Sequence, residues 1–304
     1  MVVDLTNHFI SKISSPASIE TIETYESELE FYRKNDYTYI PLPLDQKYVN
    51  SETEEVHDLA PQQLISTDAQ VFSAMTHLPG DDFLLTHPGY VYGLEDGELA
   101  YERGIRSDFD QTIGWPYSDE GLSKEQKNEL AELISQEGHL GIITLADMNN
   151  RATKEAIYPI VAELESIFAR KIREELSEID IIPYLDSDTI EQWAEAQREG
   201  LGIHISEFMS ISDLLNVAKE YEEIRSKFGY DSKREFEETG GIVKLRNSIM
   251  HLPRPLIQNI EELHKTIERI ERCKMIIEEV GGEVRLQHDR QYWFEEFPRY
   301  SDVS

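Results

Sequence analysis

Residues 151–176, RATKEAIYPIVAELESIFARKIREEL, divide the chain into two parts of different character. Within this stretch, apolar side chains recur every three or four residues, which is the spacing of one face of an amphipathic helix. They are Ile157, Ile160, Val161, Leu164, Ile167, Phe168, Ile172 and Leu176. A long helix is therefore predicted here, and we interpret residues 151–180 as a connector.

The part before this helix alternates between strand and helix patterns. Apolar or aromatic runs predict strands at 37–40, 83–86, 89–94 and 140–144. Helical spacing predicts helices at 18–35, 71–76 and 123–137. We expect residues 1–150 to form an α/β domain with a long insertion near 88–138.

The part after the helix lacks strand patterns. Helices are predicted at 187–199, 206–228, 231–250 and 255–280. We expect an all-α domain over 181–304, with an aromatic tail at 291–300 that packs on its own core. The predicted fold class is α+β, an α/β domain followed by a helical one.

The charge of the chain is strongly negative and evenly spread. There are 60 acidic and 29 basic residues, a net charge of −31, and the surplus runs from Glu20 to Glu296. This excludes a broad basic surface for nucleic acid, so no DNA partner is expected. It favours a halophilic protein, because concentrated salt screens self-repulsion; an ordinary acidic protein is the alternative.

The chain has one cysteine, Cys273, which excludes an intrachain disulfide and a cysteine-cluster metal site. Residues 1–15 lack the basic-then-apolar order of a signal peptide, and no apolar run approaches membrane-helix length. We therefore expect a cytoplasmic protein without a membrane partner.

The segment GIITLAD, 141–147, is the first candidate site. A strand that ends at Thr144, followed by Asp147 at the start of a helix, suits a nucleoside: helix N-termini hold phosphate and an aspartate accepts hydrogen bonds from ribose. The alternative is that Asp147 only caps the next helix.

This segment resembles the G-[IV]-[IV]-T-x-x-D ending of a CBS domain, a regulatory module that commonly binds adenine nucleotides. LISTDAQVFSAM, 64–75, is similar to the opening of the same module. The resemblance covers about 60–150 and implies that Thr144 and Asp147 contact phosphate and ribose, with Thr67 or Asp68 near the base. CBS modules usually come in pairs, whereas one clear copy is present here.

The segment LRNSIMH, 245–251, is the second candidate site. It lies within residues 239–260, a window of 22 residues without an acidic side chain, whose Lys244, Arg246 and Arg254 give it a charge of +3. We expect an anion to bind at this positive spot.

Arg246, Asn247 and His251 resemble the R-N-x-x-x-H form of the motif of HEPN domains, which are all-α modules of ribonucleases, toxin–antitoxin systems and phage-defence effectors. The resemblance covers about 180–282 and implies a homodimer with a composite RNA-cleaving site that needs no metal. Arg246 would stabilise the phosphate, His251 would act as base or acid, and Asn247 would orient them. The alternative is a non-catalytic regulatory or antitoxin-like binding protein that senses adenine nucleotide.

Other motifs are missing from the sequence. There is no Walker loop, GxSxG, GxGxxG or HExxH. His204 with Glu207, and His264 by itself, are interpreted as surface residues, and no metal site is predicted.

The first prediction follows from the charge. If the surface is adapted to salt, the thermal unfolding midpoint followed by circular dichroism should rise steeply between dilute buffer and multimolar KCl, because screening removes repulsion between carboxylates. A midpoint independent of salt would reject the halophilic interpretation.

Overall fold

The structure is a computed structural model that divides into two compact units. The helical unit comprises Met1–Thr6 and Thr153–Leu286, and the mixed unit comprises Asn7–Ala152 and Gln287–Ser304. The residues described by the structure are 2–4, 15–16, 25–34, 37–42, 47–59, 63–66, 71–78, 83–87, 90–95, 98–103, 111–113, 123, 125, 141–251 and 253–285. The division falls after Ala152, close to the expected boundary near residue 150, and the long helix belongs to the helical unit from Thr153.

The described elements up to residue 144 are mostly strands. In chain order they are β1 (Val2–Asp4), β2 (Ser15–Pro16), α1 (Tyr25–Lys34), β3 (Tyr39–Leu42), β4 (Lys47–Asn50), β5 (Val56–Asp58), β6 (Leu64–Ser66), α2 (Val71–His77), β7 (Phe83–His87), β8 (Tyr90–Glu95), β9 (Glu98–Arg103), β10 (Gln111–Ile113) and β11 (Gly141–Thr144). The strand and helix predictions at 71–76, 83–86, 89–94 and 140–144 are confirmed within a residue or two. The helix predicted at 123–137 lies almost entirely outside the described residues.

The described strands of the mixed unit form three sheets. A four-stranded sheet has the order β2-β11-β7-β6, in which β6 and β7 are parallel and β7 and β11 are antiparallel. The parallel pair is joined through α2, and β7 is buried at Phe83, Leu84 and Leu85, each with 0% exposure. Two antiparallel three-stranded sheets, β3-β4-β5 and β10-β8-β9, complete the described strands.

The strand predicted to stop at Pro41 continues to Leu42. Pro41 pairs with Tyr48 in the antiparallel β3–β4 ladder, and β3 is an edge strand. An edge strand tolerates proline because its missing N–H can face away from the ladder. Ile40, Leu42 and Val49 can therefore pack together with Tyr32 of α1.

The second half of the chain is helical. Its elements are α3 (Arg151–Glu175), α4 (Glu178–Ile181), α5 (Ser187–Arg198), α6 (Ile211–Glu220), α7 (Glu222–Arg225), α8 (Lys233–Phe236), α9 (Gly241–Met250), α10 (Ile260–Glu279) and a short strand β12 (Glu283–Arg285). β12 pairs with β1 in parallel, with Val3 opposite Val284. None of the described helices is both long and apolar enough to cross a membrane.

The predicted helices at 206–228 and 231–250 are each broken into shorter pieces. Ser210 caps α6 in a capping box with Asp213, and Ser232 caps α8 in the same way with Glu235. Each serine takes an extended backbone conformation and its side chain accepts from an N–H of the first turn, so a new helix begins there. Apolar spacing alone missed the break before α6, although the S-x-x-D pattern marks it. The predicted helix at 231–250 is broken by the 3₁₀ turn Glu237–Gly240, which separates α8 from α9.

The core of the helical unit is built on the apolar face of α3. Phe168 of α3 is fully buried, with its ring centroid 4.1 Å from that of Phe228 and 6.2 Å from that of Phe236. Ile160, Leu164 and the other predicted stripe residues of α3 are also buried. The α3 stripe therefore organises this core, as its sequence predicts.

The second prediction concerns Cys273 of α10, which is fully buried. Burial raises the pKa of its thiol from 9.0 to about 12. Above pH 9 the unfolded chain therefore binds fewer protons at this thiol than the folded chain, and the stability from this group falls as pH rises towards 12. The loss should reach up to about 1.4 kcal/mol per pH unit.

Urea titrations of the wild type and of Cys273→Ala between pH 8 and pH 11 measure this effect. Subtracting the variant removes the contributions of tyrosines and lysines. A difference in unfolding free energy that stays constant with pH would contradict the burial of the thiol.

Candidate active site

Arg246, Asn247 and His251 lie within the last turn and a half of α9. The final helical hydrogen bond runs from the His251 N–H to the Asn247 carbonyl at 3.1 Å. His251 then leaves helical geometry, with φ −97° and ψ 88°, and Pro253 follows it. The sequence prediction that the three residues share one helix end is confirmed, and the His251 side chain is exposed.

The guanidinium of Arg246 is held by an acidic neighbour. Its Nε donates to Glu165 Oε1 of α3 at 3.1 Å, and its Nη1 lies 3.5 Å from Asn247 Oδ1. The side chains of Arg246 and Glu165 are 31% and 30% exposed. The ion pair orients the guanidinium while leaving part of its edge open to solvent.

The positive spot predicted for residues 239–260 is largely neutralised by carboxylates outside that window. Lys244 Nζ pairs with Glu262 at 2.9 Å, and Arg269 donates to the same carboxylate at 2.7 Å. Partial burial opposes ionisation of Glu262, but the hydrogen bonds from Arg269 and Lys244 hold its pKa below the usual value. Arg254 is exposed, and it has no ion pair among the described residues.

Lys154 of α3 lies beneath the turn that follows α9. It is 1% exposed, and its Nζ donates to the carbonyl of His251 at 3.3 Å and to that of Arg254 at 2.5 Å. The turn is also closed by the Arg254 N–H, which donates to the His251 carbonyl at 2.9 Å. Burial lowers the pKa of Lys154, because a low-dielectric environment disfavours its charged form.

Lys154 and Glu165 were not predicted as site residues from the sequence. Of the two, only Lys154 has a sequence feature that could have identified it. Lys154 stands three residues before Ile157, so it continues the apolar stripe of α3 towards the N-terminus. A lysine in a core position of an amphipathic helix indicates a buried amino group that needs acceptors. Glu165 gives no such signal, since its partner Arg246 is 81 residues away in the sequence.

Thr144 and Asp147 contact each other directly. Asp147 Oδ2 accepts hydrogen bonds from the Thr144 N–H at 2.8 Å and from its hydroxyl at 2.9 Å. Asp147 also opens a 3₁₀ turn, Asp147–Asn149, that ends just before α3. Its carboxylate therefore holds Thr144, the last residue of β11, to the turn that follows the strand.

This geometry restricts the predicted nucleotide contacts. The hydroxyl proton of Thr144 is donated to Asp147, so it is not offered to a phosphate, which requires donors. Thr67 and Asp68, the predicted contacts near the base, lie outside the described residues. Thr144 and Asp147 are thus the two predicted nucleotide contacts that the structure brings together.

The described residues were also considered as metal ligands. Among them, no group of three or more His, Cys, Asp or Glu side chains could hold a metal ion. His204 Nδ1 accepts from the Ser206 N–H at 3.2 Å, and Glu207 pairs with Arg173 at 3.1 Å. This histidine and this glutamate therefore have structural partners.

Comparisons with known proteins do not identify a family for this chain. No protein-family model, curated protein or solved structure matches the chain. The functional argument therefore depends on the geometry of the two candidate sites.

The third prediction separates structure from ligand binding at Asp147. Asp147→Ala removes the acceptor of two hydrogen bonds and should lower the free energy of unfolding by about 1–3 kcal/mol without any ligand. Thr144→Val keeps the backbone bond and should cost about half as much. Calorimetry of the purified variants measures both.

Asp58→Ala is the matched control, since this aspartate of β5 is exposed and lies in the same unit. It should change the unfolding free energy by no more than about 0.5 kcal/mol. Equal stabilities of Asp147→Ala and Asp58→Ala would contradict the structural role of the Asp147 carboxylate.

Proposed function

We propose that this protein is a metal-independent endoribonuclease of the HEPN type, with Arg246, Asn247 and His251 in its active site. The observation that carries this proposal is the end of α9, where a partly exposed, oriented guanidinium and an exposed imidazole occur on successive turns. The HEPN resemblance of the same residues adds to it. The substrate would be RNA and the active form a homodimer.

The chemistry of RNA cleavage fits these side chains. A base takes the proton of the 2′-hydroxyl, the resulting oxygen attacks the adjacent phosphorus, and an acid protonates the leaving 5′-oxygen. His251 would act as base, and the His251 of a second copy as acid. Arg246 would stabilise the phosphate in the transition state, and Asn247 would keep the guanidinium in place.

Glu165 sets a condition on this mechanism. The phosphate competes with the Glu165 carboxylate for Arg246, so the guanidinium is positioned before substrate arrives and its affinity for anions is reduced. The net charge of −31 also opposes RNA binding, so phosphate contacts would contribute little affinity. Shape and hydrogen bonding would then carry much of the recognition.

A regulatory part of the proposal rests on Thr144 and Asp147. Asp147 would accept hydrogen bonds from the ribose of an adenine nucleotide, as its resemblance to the CBS signature implies. The Thr144 hydroxyl would have to release Asp147 before it could donate to phosphate. Binding would affect the start of α3, which follows this turn directly.

The alternative function is a non-catalytic regulatory or antitoxin-like protein. The observation that favours it is the Arg246–Glu165 ion pair, because a satisfied arginine can serve packing between helices. In that case α9 and α10 would form a dimerisation scaffold, and the nucleotide would be the ligand that matters.

The fourth prediction tests cleavage. Wild-type protein incubated with structured and unstructured RNA in EDTA and molar KCl should cut it, and His251→Ala should lose at least about 100-fold in rate because it lacks the acid–base group. Arg246→Met should lose a similar factor of about 100 in rate, because it lacks the guanidinium that stabilises the phosphate in the transition state.

Matched controls are available for both variants. His264→Ala removes an exposed histidine of α10, and Arg173→Met breaks an ion pair to Glu207 of the same 3.1 Å length as the Arg246–Glu165 pair. Both should keep wild-type rates. Inertness of the wild type and of every variant would reject the nuclease and favour the scaffold.

Nucleotide binding is tested separately by calorimetric titration with ATP, ADP, AMP and adenosine. Binding by wild type that is weakened in Asp147→Asn supports the regulatory role. If none of the four compounds gives a heat of binding, adenine nucleotide sensing is rejected and the nuclease proposal is unaffected.

A further inference from the structure

We propose that Lys154 is a positioning residue of the candidate active site, which holds the turn 251–254 and so fixes the direction from which His251 projects. The effect of Lys154 on catalysis rests on the proposed nuclease function. The effect on the turn does not depend on that function and can be measured by itself.

Two hydrogen bonds of Lys154 end on this turn. Its Nζ donates to the His251 carbonyl at 3.3 Å and to the Arg254 carbonyl at 2.5 Å. The two acceptors are 97 and 100 residues away in the sequence. One amino group therefore connects α3 to both ends of the turn after α9.

Packing alone does not explain a lysine at this position. Lys154 is 1% exposed, and taking an amino group out of water costs several kcal/mol before its hydrogen bonds repay it. A methionine of similar length would fill the same space without that cost. The specific gain from lysine is its pair of directed hydrogen bonds.

The carbonyls of this turn need donors. The last carbonyls of any helix have no partner within the helix, and Pro253 has no N–H to offer. The Arg254 N–H supplies one donor, to the His251 carbonyl. Lys154 supplies a second donor to that carbonyl and one to the Arg254 carbonyl.

The direction of His251 matters for proton transfer. An acid or base must lie within hydrogen-bond reach of the reacting oxygen, and a displacement of about 1 Å can cost about 100-fold in rate. His251 is exposed, so its backbone is the part that the protein can hold. Release of the turn should therefore lower kcat more than it raises KM.

The experiment compares Lys154→Met with Lys171→Met in the full-length protein. Lys171 is on the same helix and bonds only Glu174, at 2.8 Å, among the described residues. The two variants share the same change of charge and side chain. Each is examined by circular dichroism, by NMR of ring-labelled histidines, and by RNA cleavage in EDTA.

The assignment of the His251 signal comes from a His251→Ala spectrum. In Lys154→Met we expect the His251 ring signal to shift more than the signals of the other 8 of the 9 histidines. We also expect kcat to fall at least about 10-fold with KM changed less than about threefold. Lys171→Met should match wild type in all three measurements.

Several outcomes would overturn the proposal. A folded Lys154→Met with an unchanged His251 signal rejects it, and so does unchanged kcat where the wild type cleaves RNA. If Lys154→Met loses native circular dichroism, Lys154→Gln, which keeps a neutral donor, replaces it. Failure of both variants to fold assigns Lys154 to folding and rejects positioning.

The proposed function can fail separately. If wild-type protein does not cleave RNA, the nuclease is rejected, and the His251 signal alone then decides whether Lys154 holds the turn. A shifted signal supports positioning in a binding protein, and an unshifted one excludes it.

Discussion

The amino group of Lys154 is removed from water, and the turn 251–254 supplies acceptors for it. This interaction connects the start of α3 with the end of α9. A buried amino group without acceptors would cost more than most single contacts contribute, so the positions of α3 and of the turn depend on each other. The residues with the most evident chemistry, Arg246 and His251, are adjacent to this connection.

The excess of acidic residues has a structural role at this site. The window 239–260 contains no carboxylate, yet Glu165 and Glu262 reach into it from α3 and α10. They orient Arg246 and Lys244 and lower the local positive charge. A cation-rich segment in a very acidic chain is thus not automatically an open anion site, because its partners come from other helices.

The first candidate site shows how one carboxylate can serve two interpretations. Asp147 is expected from its sequence context either to bind a ribose or to cap a helix, and in the structure it accepts two hydrogen bonds from Thr144. Both short-range bonds form within the strand-to-turn segment. They give Asp147 a structural role with or without ligand.

The local periodicity of the sequence determined much of the secondary structure. The apolar stripe of α3, the helix α2 and the strands β7 and β11 follow from residue spacing, because side-chain direction in a helix or strand repeats with a fixed period. The placement of Arg246, Asn247 and His251 at one helix end follows from Pro253, which stops the helix. Pro41 within β3, the break at Ser210 and the 3₁₀ turn Glu237–Gly240 did not follow from periodicity, since edge position, capping and turns are not encoded in apolar spacing.

The tertiary structure decided which charges meet. Glu165 with Arg246, and Lys154 with the carbonyls of His251 and Arg254, join residues 81 to 100 positions apart. Local spacing carries no information about such pairs, because they form only when α3 packs beside α9. The sequence by itself determined which side chains could do chemistry, and the packing of the helices determined how those side chains are held.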